Sequence, residues 1–436
     1  MQTPRRRTGF GLYVWRSIFV VSLAAATILT LLAAPATQSG KAIDEVLREA
    51  VDSKKMPGVV AMVANTGGVV YQGAAGKRDT TKNVPMTMDT IFRIASMTKP
   101  VTSVAVMQLV ESGRVKLEEP VSTYLPELAH VQVLEEFDAA TKKAKLRAPK
   151  TLPTVRQLLT HTSGYAYEFF DAKLGAYVSS GAVPSAFQGD DGFLKAPLVF
   201  DPGTQWEYGI NTDILGRMVE KISGQTLEEY FRQHIFQPLG MTDTFFNVPA
   251  GKEDRLAALY QRQEDGSFVE PPLQPLKPVK FYSGGGGLFS TAGDYIKFER
   301  MLLGGGKLGS QRILKAETVA EMSRNQIGEL GLVELKSLAP QFAKNPTRIP
   351  GGLDKFGFGF AINTKPVEGG RSAGSLAWAG IFSTYFWIDP PKKTCAVILM
   401  QLLPFSDDEA VATVEKFEHA VYGNTADAAV SEKTKN

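Results

Sequence analysis

One short segment of this chain carries the largest share of its structural information: Phe92-Arg93-Ile94-Ala95-Ser96-Met97-Thr98-Lys99. The apolar residues that follow have helical spacing, which predicts a helix from about Ser96 to Glu111. Ser96 and Lys99 then lie on the same side of the helix, one turn apart. A lysine there can activate the serine hydroxyl, and the helix N-terminus adds positive potential for an oxyanion. The Ser-x-x-Lys pattern alone is typical of an ordinary helix start with a solvated lysine.

Other segments in the chain change that interpretation. In order along the sequence they are Gln157–Gly164, Pro202–Tyr208, Phe236–Thr244 and Ser283–Leu288. With the first segment they resemble, in the same order, the serine β-lactamase-like superfamily. That superfamily holds class C β-lactamases, D-alanyl-D-alanine carboxypeptidases and family VIII carboxylesterases. The resemblance extends over nearly all of the chain after about Ile43 and favours a catalytic role for Ser96 and Lys99.

Strand and helix patterns at both ends of the chain predict one sheet assembled from both termini. They are a helix at Ala42–Val51, a hairpin of Val59–Asn65 and Val69–Gly73, strands at Trp378–Ile388 and Thr394–Gln401, and a helix at Asp407–Tyr422. We interpret the basic stretch Lys142–Lys150 as a solvated loop. The resemblance implies an α/β (α+β) fold like that of class C β-lactamases. An antiparallel sheet is flanked by N- and C-terminal helices, with a sheet lobe of about 42–95 and 281–424 and an inserted helical lobe of about 96–280.

The third predicted catalytic residue is Tyr208. In the superfamily the matching phenol lies against the serine and lysine, where a nearby ammonium favours the phenolate as a general base. Penicillin-recognising members usually have Asn two residues after this tyrosine, whereas here the position is Ile210. The segment from Tyr208 to Gly216 is closer to an esterase pattern, Tyr-x-x-x-x-Asp-x-Leu-Gly.

Substrate-binding residues are expected at Trp378-Ala379-Gly380. Class C enzymes have Lys-Thr-Gly there, and family VIII esterases often have Trp-Gly-Gly. We expect Gly380 to let substrate lie against the strand, and the N–H of Ile381 to be an oxyanion donor beside that of Ser96. Trp378 stands where class C enzymes have a cation that binds carboxylates, which favours neutral esters. Arg371 is nevertheless near enough in sequence to supply a positive charge.

An aromatic cluster follows the second matched segment: Tyr165, Tyr167, Phe169 and Phe170. In the superfamily this region borders the acyl pocket. Pocket lining, with Tyr165 and Tyr167 as binding residues, and ordinary core packing are both open interpretations.

Competing catalytic motifs are less consistent with the sequence. Gly370–Gly374 matches the Gly-x-Ser-x-Gly elbow of α/β-hydrolases, with His419 downstream, but a strand-like segment follows where the elbow needs a helix. The four histidines lack metal-ligand spacing, so we expect neither a metal site nor a cofactor. We expect His161 to be structural, and the glycines 284–287 to pack backbone closely near the cleft.

Composition and the N-terminus indicate an exported globular protein. Apolar residues make up 44% and charged residues 21%, which excludes a disordered chain. Residues 1–36 hold four arginines and no acid before an uncharged stretch that ends in Ala34-Pro35-Ala36, which predicts a cleaved signal peptide and a periplasmic or secreted protein. The alternative is a retained membrane anchor at residues 17–36. Cleavage changes the formal net charge from +3 to −1, so we expect no nucleic-acid partner.

The sequence thus predicts a serine hydrolase that acts through an acyl-enzyme on a small-molecule ester or β-lactam-like substrate. The preferred interpretation is a carboxylesterase on short acyl chains. A class C-like β-lactamase or D-alanyl-D-alanine carboxypeptidase is the first alternative, and a catalytically silent scaffold is the second.

Overall fold

An antiparallel sheet of eight strands forms the centre of the structure, a computed structural model that describes residues 38–271, 277–345 and 347–423. The predicted signal peptide, residues 1–36, lies outside the described residues. The described residues all lie in one compact unit, and the two lobes within it stay a prediction. Among the described residues, no helix is long and apolar enough to cross a membrane.

The α-helices of the described chain are α1 Gln38–Asp52, α2 Thr98–Glu111, α3 Val155–Leu159, α4 Ala172–Ser179, α5 Asn211–Ser223, α6 Leu227–Phe231, α7 Gln237–Leu239, α8 Ala292–Leu303, α9 Ala316–Met322 and α10 Asp408–Tyr422. The strands are β1 Gly58–Asn65, β2 Val69–Asp79, β3 Val84–Pro85, β4 Phe92–Arg93, β5 Val133–Asp138, β6 Lys143–Arg147, β7 Tyr260–Arg262, β8 Phe268–Val269, β9 Phe289–Ser290, β10 Lys307–Leu308, β11 Gln311–Arg312, β12 Lys355–Phe356, β13 Ala361–Ile362, β14 Leu376–Gly380, β15 Thr384–Asp389, β16 Thr394–Leu399 and β17 Leu402–Leu403.

The order of strands joins the two ends of the chain. The strand order of the central sheet is β12-β13-β14-β15-β16-β1-β2-β3. Strand β1 pairs with β16 in a register that places Met62 opposite Val397. Asn65 closes the predicted hairpin, because its side chain accepts hydrogen bonds from the N–H groups of Gly67 and Gly68. The predicted antiparallel sheet built from both termini is therefore confirmed.

Alternate side chains of the sheet enter two different cores. Val60 and Met62 of β1 pack on the face covered by α2 and α8, whereas Val59 and Ala61 pack on the face covered by α1 and α10. This period of two is what a strand buried on both faces requires. The same alternation in β14 points Trp378 toward the face that carries α2. The face with α2 therefore holds most of the predicted site residues, whereas the side chain of Ile381 packs against the other core.

Two local predictions are wrong. The predicted strand Trp378–Ile388 is two strands, β14 and β15, joined by a turn at residues 381–383. That turn is largely apolar and partly buried, so it lacks the polar residues that mark turns in a sequence. The predicted loop Lys142–Lys150 contains β6, whose Lys145 and Arg147 pair with Glu135 of the adjacent strand. Opposite charges across an antiparallel pair stabilise such a strand although it is polar.

Candidate active site

Ser96 lies in a tight turn immediately before α2. The turn is a 3-10 helix at Ala95–Met97, and Ser96 is half-buried between two buried neighbours. Ala95 has a φ of +43°, in the left-handed region that residues with a side chain seldom occupy. Backbone strain of this kind persists only where surrounding structure enforces it, and it concentrates at functional sites. The turn presents the Ser96 hydroxyl to the side chains of Lys99 and Tyr208.

Lys99 is buried and fully hydrogen-bonded. Its side chain is 2% exposed, and Nζ donates to Ser96 Oγ at 3.1 Å, Tyr167 Oη at 3.2 Å and the Gly285 carbonyl at 2.6 Å. Three acceptors match the three N–H groups of an ammonium. The solvated lysine of an ordinary helix start is therefore not what the structure shows.

Tyr208 completes the predicted triad. Its hydroxyl donates to Ser96 Oγ at 2.7 Å, and Lys99 Nζ lies 4.7 Å from the centre of its ring. The rings of His161 and Trp378 each lie 5.1 Å from the Tyr208 ring and hold it in place. The structure thus brings together Ser96, Lys99 and Tyr208, which lie far apart in the sequence. A proton can pass directly between the serine and tyrosine oxygens over this distance.

A second tyrosine links the lysine to a carboxylate. Tyr167 Oη, which accepts from Lys99, lies 3.5 Å from Asp213 Oδ2 and donates toward it. Asp213 Oδ1 accepts from Ser283 Oγ at 2.6 Å and from the Gly285 N–H at 3.1 Å. Burial first, and then the charge of Asp213, raise the pKa of Tyr167 well above its usual value. Tyr167 is therefore a neutral phenol in this site.

Sequence analysis did not identify Asp213 and Gly285 as site residues. Asp213 could have been identified from the sequence, since it is the acidic residue of the pattern Tyr-x-x-x-x-Asp-x-Leu-Gly. Gly285 had no residue-specific signal, because its contribution to Lys99 is a backbone carbonyl. A Cβ at Gly285 would stand 2.3 Å from Asp213 Oδ2, so only glycine fits between these groups.

His161 supports Tyr208 from behind. Its ring is buried, and Nδ1 lies 2.9 Å from the Asn211 side-chain nitrogen. Burial, and to a smaller extent the charge of Lys99, lower the pKa of His161 well below its usual value. The imidazole is neutral and in ring contact with Tyr208, and its structural role stays a prediction.

The three residues predicted to bind substrate on β14 and in its turn have different surroundings. Trp378 is only 3% exposed and packs on Tyr208 and Phe356, so it supports the tyrosine more than it offers an open surface. A Cβ at Gly380 would stand 2.3 Å from the Ile94 carbonyl. The glycine is thus required by contact with the chain before Ser96, and its contact with a substrate stays a prediction. Ile381 begins the turn after β14, and its role as an oxyanion donor stays a prediction.

The aromatic cluster divides between core and site. Tyr165 is completely buried, and its hydroxyl has no hydrogen-bond partner among the described residues, so it belongs to the core. Tyr167 contacts Lys99, as described above. Phe169 and Phe170 are half-buried next to Tyr167 and Tyr208.

The Gly-x-Ser-x-Gly segment takes no part in this arrangement. Ser372 lies in a loop before β14, where its N–H donates to Asp389 Oδ2 at 2.8 Å. Arg371 is 2% exposed and donates to both carboxylate oxygens of Glu418, on the face covered by α10. Arg371 therefore has no free charge for a substrate, and the suggestion that it supplies one is wrong.

Other candidate centres lack the required groups. A separate cavity of about 360 Å³, lined by Glu127, His130, Tyr177 and Lys195 among others, has no serine, threonine or cysteine in its wall. Within the described ranges, no group of three or more His, Cys, Asp or Glu side chains is placed to hold a metal ion. The expected absence of a cofactor stays a prediction.

Comparison with known proteins decides the family. The beta-lactamase family profile matches residues 43–420. This chain belongs to the beta-lactamase family. Monacolin J acid methylbutanoyltransferase of Aspergillus terreus is 33% identical over 401 residues, which are 87% of this chain and 95% of the relative. Esterase EstB of Burkholderia gladioli is 30% identical over 377 residues, 80% of this chain and 86% of the esterase.

A solved structure agrees with both comparisons. Unliganded simvastatin synthase (LovD) from Aspergillus terreus superimposes with a TM-score of 0.75 at 32% identity, over 89% of this chain and 99% of the synthase. This beta-lactamase-family chain is therefore an enzyme of the serine hydrolase and acyltransferase type. Its relatives act on small molecules, as their names state.

Proposed function

We propose that this beta-lactamase-family protein is a carboxylesterase that forms an acyl-enzyme on Ser96 and prefers esters with short acyl chains. The observation that carries the proposal is the direct contact of Ser96 Oγ with both Lys99 Nζ and Tyr208 Oη. Such a unit activates a hydroxyl that is otherwise a poor nucleophile. It also argues against a catalytically silent scaffold, which has no need for a buried ammonium beside a serine.

Tyr208 is the proposed proton carrier. As Ser96 Oγ attacks the ester carbonyl, its proton passes to the phenolate of Tyr208, which then protonates the departing alcohol oxygen. Water attacks the resulting acyl-enzyme and gives its proton to the same phenolate. The Tyr208 hydroxyl returns this proton to Ser96 Oγ as the acyl–oxygen bond breaks and the carboxylic acid departs. The ammonium of Lys99, 4.7 Å from the Tyr208 ring, stabilises the negative charge on the phenolate in each half-reaction. The N–H groups of Ser96 and Ile381 are the proposed oxyanion donors.

The preference for neutral esters rests on what surrounds the triad. Trp378 occupies the position of the lysine that binds carboxylates in penicillin-recognising relatives, and Ile210 occupies the position of their asparagine. Arg371 cannot replace that cation, because Glu418 binds its guanidinium. Loss of one charge-assisted contact to a carboxylate costs about 1.5–3 kcal/mol, which is roughly ten- to a hundredfold in transition-state binding.

Acyl transfer to an alcohol is the second candidate, favoured by the 33% identity to monacolin J acid methylbutanoyltransferase. It uses the same acyl-enzyme and differs only in the group that attacks it. Adding an alcohol to the assay separates the two activities, since a transferase forms a new ester at the expense of the free acid.

The test compares kcat/KM for p-nitrophenyl butyrate and nitrocefin, with a D-Ala-D-Ala peptide as a third substrate. We expect the butyrate ester to be strongly preferred by the natural protein. Trp378→Lys shifts the ratio toward nitrocefin, and Trp378→Leu, which removes the indole without adding charge, does not. Both variants lower absolute rates, because Trp378 packs on Tyr208, so the ratio is the readout. If the natural protein hydrolyses nitrocefin or the peptide as fast as the ester, the carboxylesterase assignment is wrong.

We also propose that the protein is exported, with residues 1–36 removed as a signal peptide, and acts in the periplasm or outside the cell. The support is the arginine-rich start and the Ala34-Pro35-Ala36 site. N-terminal sequencing of the protein from each cell fraction tests this. A mature protein that begins at Thr37 supports cleavage, and an intact N-terminus in the membrane fraction supports the anchor instead.

A further inference from the structure

Asp213 is a half-buried carboxylate in the first turn of α5. Its Oδ1 atom accepts from Ser283 Oγ at 2.6 Å and from the Gly285 N–H at 3.1 Å. Its Oδ2 atom lies 3.5 Å from Tyr167 Oη. In the proposed mechanism this carboxylate has no task, because its described hydrogen bonds go to neither Ser96 nor Tyr208.

The first effect of Asp213 is on the direction of the Tyr167 hydroxyl. A phenol has one hydrogen to donate, and a lysine ammonium has donors but no acceptor. The Tyr167 hydrogen therefore cannot point at Lys99, and Asp213 Oδ2 is the acceptor that it has among the described residues. Although this contact is long, it leaves a lone pair of Tyr167 Oη directed at Lys99 Nζ, 3.2 Å away.

The second effect is on the Gly285 carbonyl. This carbonyl accepts from Lys99 Nζ at 2.6 Å, which is the shortest of the three hydrogen bonds of the lysine. The N–H of the same glycine and the hydroxyl of Ser283 both donate to Asp213 Oδ1. The carboxylate thus binds the turn at two points, two residues apart, and fixes the position of the carbonyl between them and the lysine.

These two effects determine where the remaining N–H group of Lys99 points. The three N–H bonds of an ammonium have a fixed tetrahedral arrangement, so directing two of them also directs the third. Two go to Tyr167 Oη and the Gly285 carbonyl, and the third meets Ser96 Oγ at 3.1 Å. The orientation of the ammonium toward the nucleophile is thus set from the side opposite to the reaction.

We infer that Asp213 is a positioning residue, which orients two acceptors of Lys99 so that the ammonium directs its third N–H group at Ser96 Oγ. The inference rests on the proposed acyl-enzyme reaction and adds to it a residue that acts only through others. Because Asp213 influences the chemical steps and not the binding of the ester, its loss lowers kcat and leaves KM nearly unchanged.

The test is Asp213→Asn, which keeps the shape of the side chain. An amide has one acceptor oxygen and an NH₂ group that cannot accept, so it cannot serve both Tyr167 and the turn at Gly285. We expect kcat for p-nitrophenyl butyrate to fall about ten- to a hundredfold and KM to change less than about twofold. Ser283→Ala, which leaves the other two partners of Asp213 in place, lowers kcat by about threefold at most.

Glu220→Gln is the matched control, because Glu220 is a second carboxylate on α5 that binds away from the site. It accepts from the Leu227 N–H at 2.8 Å and pairs with Arg217. We expect this variant to unfold at a lower temperature and to keep its kcat. All rates are measured well below the unfolding midpoint of each variant, so that a loss of folded protein does not count as a loss of catalysis.

A double variant tests whether Asp213 acts through Tyr167. Adding Tyr167→Phe to Asp213→Asn lowers kcat by less than Tyr167→Phe does alone, because the hydroxyl has already lost its orientation. A full additional loss would show that the two residues act independently.

Two other results would also overturn the inference. A kcat of Asp213→Asn within about twofold of the natural protein would mean that the carboxylate does not position Lys99. A raised KM with an unchanged kcat would assign Asp213 to ester binding. Failure of the natural protein to hydrolyse p-nitrophenyl butyrate would contradict the proposed function itself, and so differs from these results.

Discussion

Replacing Tyr208 by phenylalanine tests the proposed proton path, because the substitution removes only the hydroxyl group. Among the described residues, the Tyr208 hydroxyl has one hydrogen-bond partner, Ser96 Oγ at 2.7 Å. The ring contacts with His161 and Trp378 remain possible for phenylalanine. We therefore expect the free energy of unfolding to change by no more than about 1 kcal/mol. Loss of general acid–base catalysis lowers kcat/KM by about 10²- to 10⁴-fold, or about 2.7–5.5 kcal/mol of transition-state stabilisation.

Tyr167→Phe is the matched comparison, because it removes the same atom from a neighbouring ring. The Tyr167 hydroxyl contacts Lys99 at 3.2 Å and Asp213 at 3.5 Å but is not among the partners of Ser96. Since burial and the charge of Asp213 raise its pKa well above the usual value, it stays protonated and cannot accept the serine proton. The contact with Asp213 is long and therefore weak, so its loss removes about one hydrogen bond worth about 0.5–1.5 kcal/mol, and we expect about tenfold lower activity at most.

The assay is hydrolysis of p-nitrophenyl butyrate by the two variants and the natural protein, with thermal unfolding measured on the same samples. A Tyr208→Phe variant within tenfold of the natural protein would refute the proton path. A Tyr167→Phe variant as inactive as Tyr208→Phe would assign the base to the other phenol.

Two further predictions concern the competing serine and the effect of pH on stability. Ser96→Ala should abolish ester hydrolysis while Ser372→Ala keeps most of it, because only Ser96 contacts the lysine and tyrosine. An inactive Ser372→Ala enzyme together with a fully active Ser96→Ala enzyme would mean that Ser372 is the nucleophile. Burial and the charge of Asp171 raise the pKa of half-buried Glu207 from 4.5 to about 7, so its contribution to stability is full below about pH 4.5 and is lost as the pH rises through 7. The thermal unfolding midpoint should therefore decrease as the pH rises from about 5 to 8, and it should decrease less in Glu207→Gln. The same pH dependence of the midpoint in both proteins would show that Glu207 is solvated.

The fold was largely predictable, and the errors have local causes. The continuous apolar runs in β1 and near the C-terminus identify buried strands, and their places at both ends of the chain predict one shared sheet. Which strands are neighbours does not follow from such patterns. The turn at residues 381–383 was missed because its residues are mostly apolar, and buried turns lack polar markers. Strand β6 was missed because it is stabilised by Glu135 on the facing strand β5, which lies outside a short stretch of sequence around β6.

The site was predictable only where a residue type carries the chemistry. Ser96, Lys99 and Tyr208 are reactive side chains in recognisable segments, and the structure brings them together. The Gly285 carbonyl is a group that every residue has, so nothing in the residue type predicts its bond to Lys99. Trp378 and Gly380 were noticed, but their packing against Tyr208 and Ile94 depends on where the end of β14 meets the turn before α2.

The surroundings of Lys99 explain how a buried cation can serve the reaction. Its three hydrogen bonds go to neutral acceptors, and among the described residues it forms no direct ion pair with a carboxylate. Asp213 is linked to Lys99 indirectly, through the Tyr167 hydroxyl and through the backbone of Gly285. A carboxylate in direct contact would offset the positive charge at Ser96 and Tyr208, because electrostatic interactions weaken with distance. Placed behind a neutral phenol, Asp213 orients the network and leaves the charge of Lys99 directed at the oxygens that exchange the proton.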